Sequence, residues 1–171
     1  MIDRLWAPWR MEFIRQARPA NQGCVLCEYV GVAPAAGTLV LARRGSAFVV
    51  LNKYPYNSGH IMIVPNLHVQ DPTQLTSSDS QELWHLVTDS MTALREATRC
   101  QGINCGINLG RAAGAGIEEH LHVHLVPRWE GDNNFMPVIG ELRVVPEALE
   151  RTREHFAPFF GSLSEDPTTQ P

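Results

Sequence analysis

The segment His120-Leu121-His122-Val123-His124-Leu125-Val126 alternates imidazole and aliphatic side chains without a break. In a β-strand, residues i, i+2 and i+4 share a face. The spacing therefore predicts three histidines on one side, with Leu121, Val123 and Leu125 turned to a core. A helix would scatter the same rings around its axis. Same-face neighbours stand roughly 6.6 Å apart, a span that suits a chain of phosphates better than a single metal ion. Three clustered ionisable rings are costly to bury without a role. Two chemistries fit them. One is metal ligation by imidazole. The other is attack by a neutral ring on phosphorus, which divides one hard displacement into two easier ones.

Two further groups of residues carry chemical meaning. Cys24 and Cys27 stand in Cys-x-x-Cys spacing. That spacing serves zinc, a redox pair, or two reduced buried thiols. Gly110-Arg111-Ala112-Ala113-Gly114-Ala115-Gly116 runs just ahead of the histidines. Small residues let main-chain N–H groups approach a ligand closely, and consecutive N–H groups can form a nest for an anion. Cys100 and Cys105 flank a predicted turn and are assigned no function. His85 and His155 are expected to be solvated.

These residues need elements to hold them. Thr38 to Arg43 and Ala47 to Asn52 read as strands joined by Arg44-Gly45-Ser46. Lys53 to Gly59 is loop-like, and His60 to Val64 is a third apolar strand ended by Pro65. A long helix should start near Ser78, where Ser78 and Gln81 fit a capping box. Leu83, Val87, Met91 and Leu94 share one of its faces. It should end near Gln101-Gly102, where glycine suits a left-handed cap. Ile103 to Leu109 reads as a strand, and Glu147 to His155 as a short surface helix. The fold class expected is α+β, an antiparallel sheet of about five strands with one long helix. Residues 1–22 form an N-terminal arm, 23–160 the domain, and 161–171 a disordered tail.

Bulk composition narrows the functional classes. At 171 residues the chain suits one domain. Its 44% hydrophobic and 19% charged residues exclude a disordered chain. A net charge of −4 argues against a nucleic-acid backbone as partner but leaves room for a small anion. No apolar run approaches bilayer length, and the N-terminus lacks the apolar stretch of a signal peptide, so no membrane role and a cytoplasmic location are expected. Trp6, Trp9 and Phe13 in the arm are large apolar groups that should pack on the domain or a second subunit.

With its elements laid out, the chain resembles the histidine triad (HIT) family of nucleotide hydrolases and transferases. His120 to Val126 match its His-φ-His-φ-His-φ-φ pattern, followed by Pro127-Arg128-Trp129. A second block runs from Gly59-His60-Ile61-Met62-Ile63-Val64-Pro65 to His68. Trp6-Ala7-Pro8-Trp9-Arg10, Leu51 to Asn57, and Gly131-Asp132-Asn133-Asn134-Phe135 resemble its bacterial branch related to diadenosine tetraphosphate (Ap4A) phosphorylases. The resemblance covers roughly residues 4–155.

It implies that His122 attacks the α-phosphate of an adenosine nucleotide and carries a transient AMP. His124 would bind the phosphates and His60 would lie beside them. Asn52 stands where the family often has an aspartate on the ribose hydroxyls, and an amide can still hydrogen-bond both ways. Asn108, Gly114 and Gly116 would hold phosphates. Gly116 and Ile117 replace the Gln and Ser or Thr of many HIT hydrolases, leaving main-chain N–H donors and either water or phosphate as acceptor. A structural zinc would be held by Cys24, Cys27, His68 and His120, and a homodimer is implied. The leading reading is cleavage of an adenosine polyphosphate. The alternatives are an AMP phosphoramidase and a nucleotide-binding module without turnover.

Overall fold

The computed structural model describes residues 23–132 and 148–164. The expectations for Trp6, Trp9, Phe13 and the rest of the arm at 1–22, for Asn133 to Phe135, for Glu147, and for residues 165–171 lie outside the described residues.

Valine- and isoleucine-rich runs pair into one antiparallel sheet. Its strands are β1 (Val40–Arg44), β2 (Ala47–Leu51), β3 (Ile61–Pro65), β4 (Gly102–Ile107) and β5 (Val123–Arg128), in the order β1-β2-β3-β5-β4. The five expected strands are all present. β1 and β2 form a hairpin in which Arg44 already pairs with Ala47, so the turn is Gly45-Ser46 alone. Arg44 is drawn into the strand by its ion pairs with Glu82 and Asp89 at 3.2 and 2.8 Å.

Helix α1 (Ser77–Thr98) is one residue longer at its start than expected, and its cap differs. Thr76 is the N-cap, and its hydroxyl accepts the Asp79 N–H at 3.1 Å. Ser78 lies inside the first turn. The capping box of this region belongs instead to Asp71 and Gln74, around the short 3-10 turn Pro72–Gln74. The C-terminal expectation also needs correction. The helix closes on Arg99, which takes the left-handed conformation at φ 53°. Gly102 is unavailable as a cap because it opens β4 opposite Arg128. Sheet pairing outcompetes glycine's preference for the cap.

Strand alternation divides the sheet into two faces. Val49, Leu51, Ile61, Ile63, Leu121, Val123 and Leu125 meet the buried side chains of α1. Phe48, Val50, Met62 and Val64 point the other way, where Leu26 and the segment around Cys24 cover them. The short surface helix expected at 147–155 is instead α2 (Leu149–Phe160). Phe156 and Phe160 enter the core and stack on each other at 5.6 Å. Gly161–Ser164, expected in the tail, form a 3-10 turn. The Ser164 hydroxyl accepts the Arg43 N–H at 3.2 Å, satisfying a donor on the outer edge of β1.

Candidate active site and metal centre

β5 enters the ladder at Val123, so His120 and His122 precede its paired part. All three triad histidines are buried. The His122 and His124 rings meet edge-to-face with centroids 4.7 Å apart. His120 meets His68, edge-to-face at 5.2 Å.

Main-chain carbonyls fix the tautomers of His120 and His122 in opposite senses. A carbonyl oxygen only accepts, so the ring nitrogen facing it carries the proton. His122 Nδ1 donates to the His120 carbonyl at 2.7 Å, which leaves the lone pair on Nε2. His120 Nε2 donates to the Pro65 carbonyl at 2.9 Å, which leaves the lone pair on Nδ1. Burial is the largest influence on both rings and pushes their pKa values below the ordinary imidazole range. Both are therefore neutral near pH 7, the form that ligates metal or attacks phosphorus.

His60 joins the second pair. Its Nε2 lies 3.0 Å from His124 Nδ1, and the Tyr56 ring packs at 4.6 Å from His60 and 5.5 Å from His124. Asn52 sits opposite His60 at the end of β2, its N–H donating to the His60 carbonyl at 3.0 Å. Its side chain is engaged on both sides: Oδ1 accepts the Tyr54 N–H at 2.9 Å, and Nδ2 lies 3.2 Å from His60 Nδ1. Asn108 follows the last β4–β5 pair, Ile107 with Val123, and so stands across from His122.

The glycine loop folds into a 3-10 turn, Arg111–Ala113. The Ala113 and Ala115 N–H groups donate to the Gly110 carbonyl, and the Gly114 N–H donates to Arg111 at 2.9 Å. A phosphate would take the Gly114 donor only by displacing that bond. Gly116 lies past the turn, on the approach to the triad.

Cys24, Cys27, His68 and His120 converge as the resemblance implies. Their four ligand atoms lie within 4.8 Å of one another. Cys24 Sγ is 3.4 Å from His120 Nδ1, and Cys27 Sγ is 3.2 Å from His68 Nδ1 and 3.5 Å from His120 Nδ1. Around a tetrahedral zinc with bonds of about 2.0–2.3 Å, ligand atoms stand about 3.6 Å apart, so the spacing fits such an ion. The Pro65 carbonyl behind His120 is the outer partner that orients a metal-bound imidazole. Burial first, and then the neighbouring Cys24 thiol, pushes the Cys27 thiol up. A cation between the sulfurs would reverse that.

Sequence reading missed the residues that hold this centre. Arg43 donates to the Tyr29 carbonyl at 3.0 Å and to Asn66 Oδ1 at 2.7 Å, and lies over the Phe48 ring. It ties the cysteine segment to the strand end that leads to His68. An arginine in a strand carries no sequence mark of such a role. The acceptors at Pro65 and His120 are main-chain atoms, invisible in any motif.

A histidine pair beside a Cys2His2 cluster on this sheet defines a class. The HIT domain family model matches residues 35–131. The chain belongs to the HIT domain family and is an enzyme of that type. It is 39% identical to the AP-4-A phosphorylase of Mycobacterium tuberculosis over 162 residues, 91% of this chain and 83% of that one. A Zn-bound histidine triad family protein from Mycobacterium smegmatis aligns with a TM-score of 0.65 and 26% identity, covering 82% of this chain and 95% of its own. A hypothetical histidine triad nucleotide-binding protein from Sulfolobus tokodaii shares the fold, with a TM-score of 0.66 and 24% identity over 82% and 93% of the two chains. Among the described residues, no helix is long and apolar enough to cross a membrane.

Proposed function

We propose that the protein cleaves an adenosine polyphosphate of the Ap4A type at the α-phosphate, through AMP bound to His122, and that inorganic phosphate accepts the AMP. The observation that carries this reading is the His122 ring, buried, with Nδ1 tied to the His120 carbonyl and its lone pair on Nε2. In the first step Nε2 forms a bond to phosphorus as the bond to the bridging oxygen breaks, and ATP leaves. In the second, a phosphate oxygen forms a bond to phosphorus, the P–N bond breaks, and ADP leaves with His122 restored. With water as acceptor the product would be AMP. Similarity to a phosphorylase supports phosphate. His124 and Asn108, beside and opposite His122, would hold the phosphoryl oxygens as charge builds on them. His60 would support His124, and Gly116 would supply a main-chain donor.

Cys24, Cys27, His68 and His120 would hold one zinc. Four protein ligands leave no open position, so its role is structural. It would fasten the segment around Cys24 to the residue two positions before the nucleophile. The four cysteines are free, as suits a reducing cytoplasm. A homodimer remains our reading of the assembly, checked by sedimentation.

The deciding experiment incubates the protein with Ap4A with and without phosphate. ADP plus ATP formed only with phosphate supports the reading. AMP plus ATP formed equally in both moves the acceptor to water. No cleavage in either refutes the function.

A further inference from the structure

We propose that Asp132 is a positioning residue that, through Asn57, holds His60 and with it the His124 ring. This deepens the reading of the same site and rests on that reading for the reaction.

Four donors converge on one carboxylate. Asp132, its side chain 10% exposed, accepts Arg128 Nε at 2.6 Å and Nη2 at 2.7 Å, the Trp129 N–H at 3.2 Å and Asn57 Nδ2 at 3.0 Å. Charge-assisted bonds of this kind are the strong ones. Arg128 is itself anchored, because its Nη1 donates to Asn104 Oδ1 on β4 at 2.8 Å. The carboxylate is therefore fixed to the end of the sheet where β4 starts and β5 finishes.

Asn57 carries that anchorage into the loop before His60. The Ser58 N–H donates to Asn57 Oδ1 at 3.0 Å, which sets the amide's orientation. Nδ2 is left to donate to Asp132 and, at 3.2 Å, to the Pro127 carbonyl. The Asn57 carbonyl accepts the His60 N–H at 3.2 Å. Its neighbour Tyr56 donates its main-chain N–H to His60 Nδ1 at 3.0 Å. Nδ1 accepts that bond, so His60 Nε2 carries the proton and donates it to His124 Nδ1 at 3.0 Å. A chain of contacts thus runs from the Asp132 carboxylate to the ring beside His122. Without the Asp132–Asn57 bond the loop would keep its internal turn but lose its register against β5. The Tyr56 N–H, the His60 ring and the donor to His124 would shift together.

Asp132→Asn and Asn57→Ala test this. An amide at 132 offers one acceptor oxygen to four donors, and alanine at 57 removes the link to the loop. Histidine-labelled protein without nucleotide gives imidazole 15N–1H spectra, and cleavage of Ap4A with phosphate gives kcat and KM, all well below each variant's Tm. Each variant should shift the His60 and His124 resonances and leave those of His122 in place, since the His120 carbonyl holds that ring. Each should lower kcat about 10–100-fold, the size of a misplaced catalytic group, with a smaller change in KM. The double variant should be no slower than the slower single one, because both break one chain of contacts. Unmoved His60 and His124 resonances in folded variants would overturn the proposal, whatever happens to Tm. Additive losses of kcat would do the same. Should Asp132→Asn fail to fold, Asn57→Ala, which leaves the Arg128–Asp132 pair intact, carries the test. Failure of both to fold would mark a brace for the whole domain and would also overturn it. If the resonances respond as expected but wild-type protein does not cleave Ap4A, the positioning assignment stands and the substrate reading falls.

Discussion

Gly59→Ala should destabilise the protein by about 3 kcal/mol and displace His60. Gly59 is buried, directly precedes His60, and has φ of +76°. A side chain in the left-handed region costs roughly 1–2 kcal/mol. An added Cβ would also meet Phe156 Cζ at 3.0 Å, Pro127 Cγ at 3.2 Å and Thr98 Cγ2 at 3.4 Å. Those atoms come from α2, β5 and the end of α1, so none retreats without moving an element. Overpacking of this kind costs about 1–3 kcal/mol. For a chain of this length, about 3 kcal/mol lowers Tm by roughly 6–12 °C. The assay is thermal and urea unfolding of the variant beside Gly161→Ala. Gly161 has nothing within 4 Å of an added Cβ, and its φ of −58° is helical. There alanine should stabilise slightly, by about 0.4–1 kcal/mol, because it restricts the unfolded chain. Wild-type melting of Gly59→Ala would refute the claim that α2 and β5 brace the loop entering His60.

Three further outcomes follow from the site. Metal analysis of protein purified without chelator should find about one zinc per chain, and its removal should lower Tm; equal stability of the metal-free protein would contradict the zinc reading. Occupancy should fall at low pH, as the thiolates and imidazoles protonate. His122→Asn should fold and bind nucleotide but lose turnover by several orders of magnitude, and wild-type enzyme quenched during turnover should carry AMP on His122 by mass spectrometry. Near wild-type activity in that variant would exclude the covalent mechanism. The Arg128 guanidinium grips Asp132 at 2.6 and 2.7 Å and holds its carboxyl below the usual carboxylate range. Its folded-state pKa is the lower one, so its stabilisation is present above about pH 4 and is lost as pH falls through the depressed value. The Tm gap between wild type and Asp132→Asn should close with acidification, and a gap independent of pH would exclude this linkage.

The sequence by itself determined the sheet and marked the candidate residues of the site. Period-two alternation in His120–Val126 and the apolar runs of β1 to β3 specify half-buried strands, because only a pleated chain puts such residues on one face. Cys-x-x-Cys named half of the metal cluster. Local pattern failed where a residue's fate was set by distant partners. Ser78 looked like a cap, but Thr76 holds the helix start; Gly102 looked like a cap, but β5 claimed it. Residues 161–164 resembled a tail until Arg43 and Ser164 met across the fold. The division of the triad also belongs to tertiary structure. His120 and His122 have the same type and the same parity, yet the carbonyls of Pro65 and His120 give them opposite tautomers. A main-chain acceptor has no residue type to read, so only the packed chain assigns the proton.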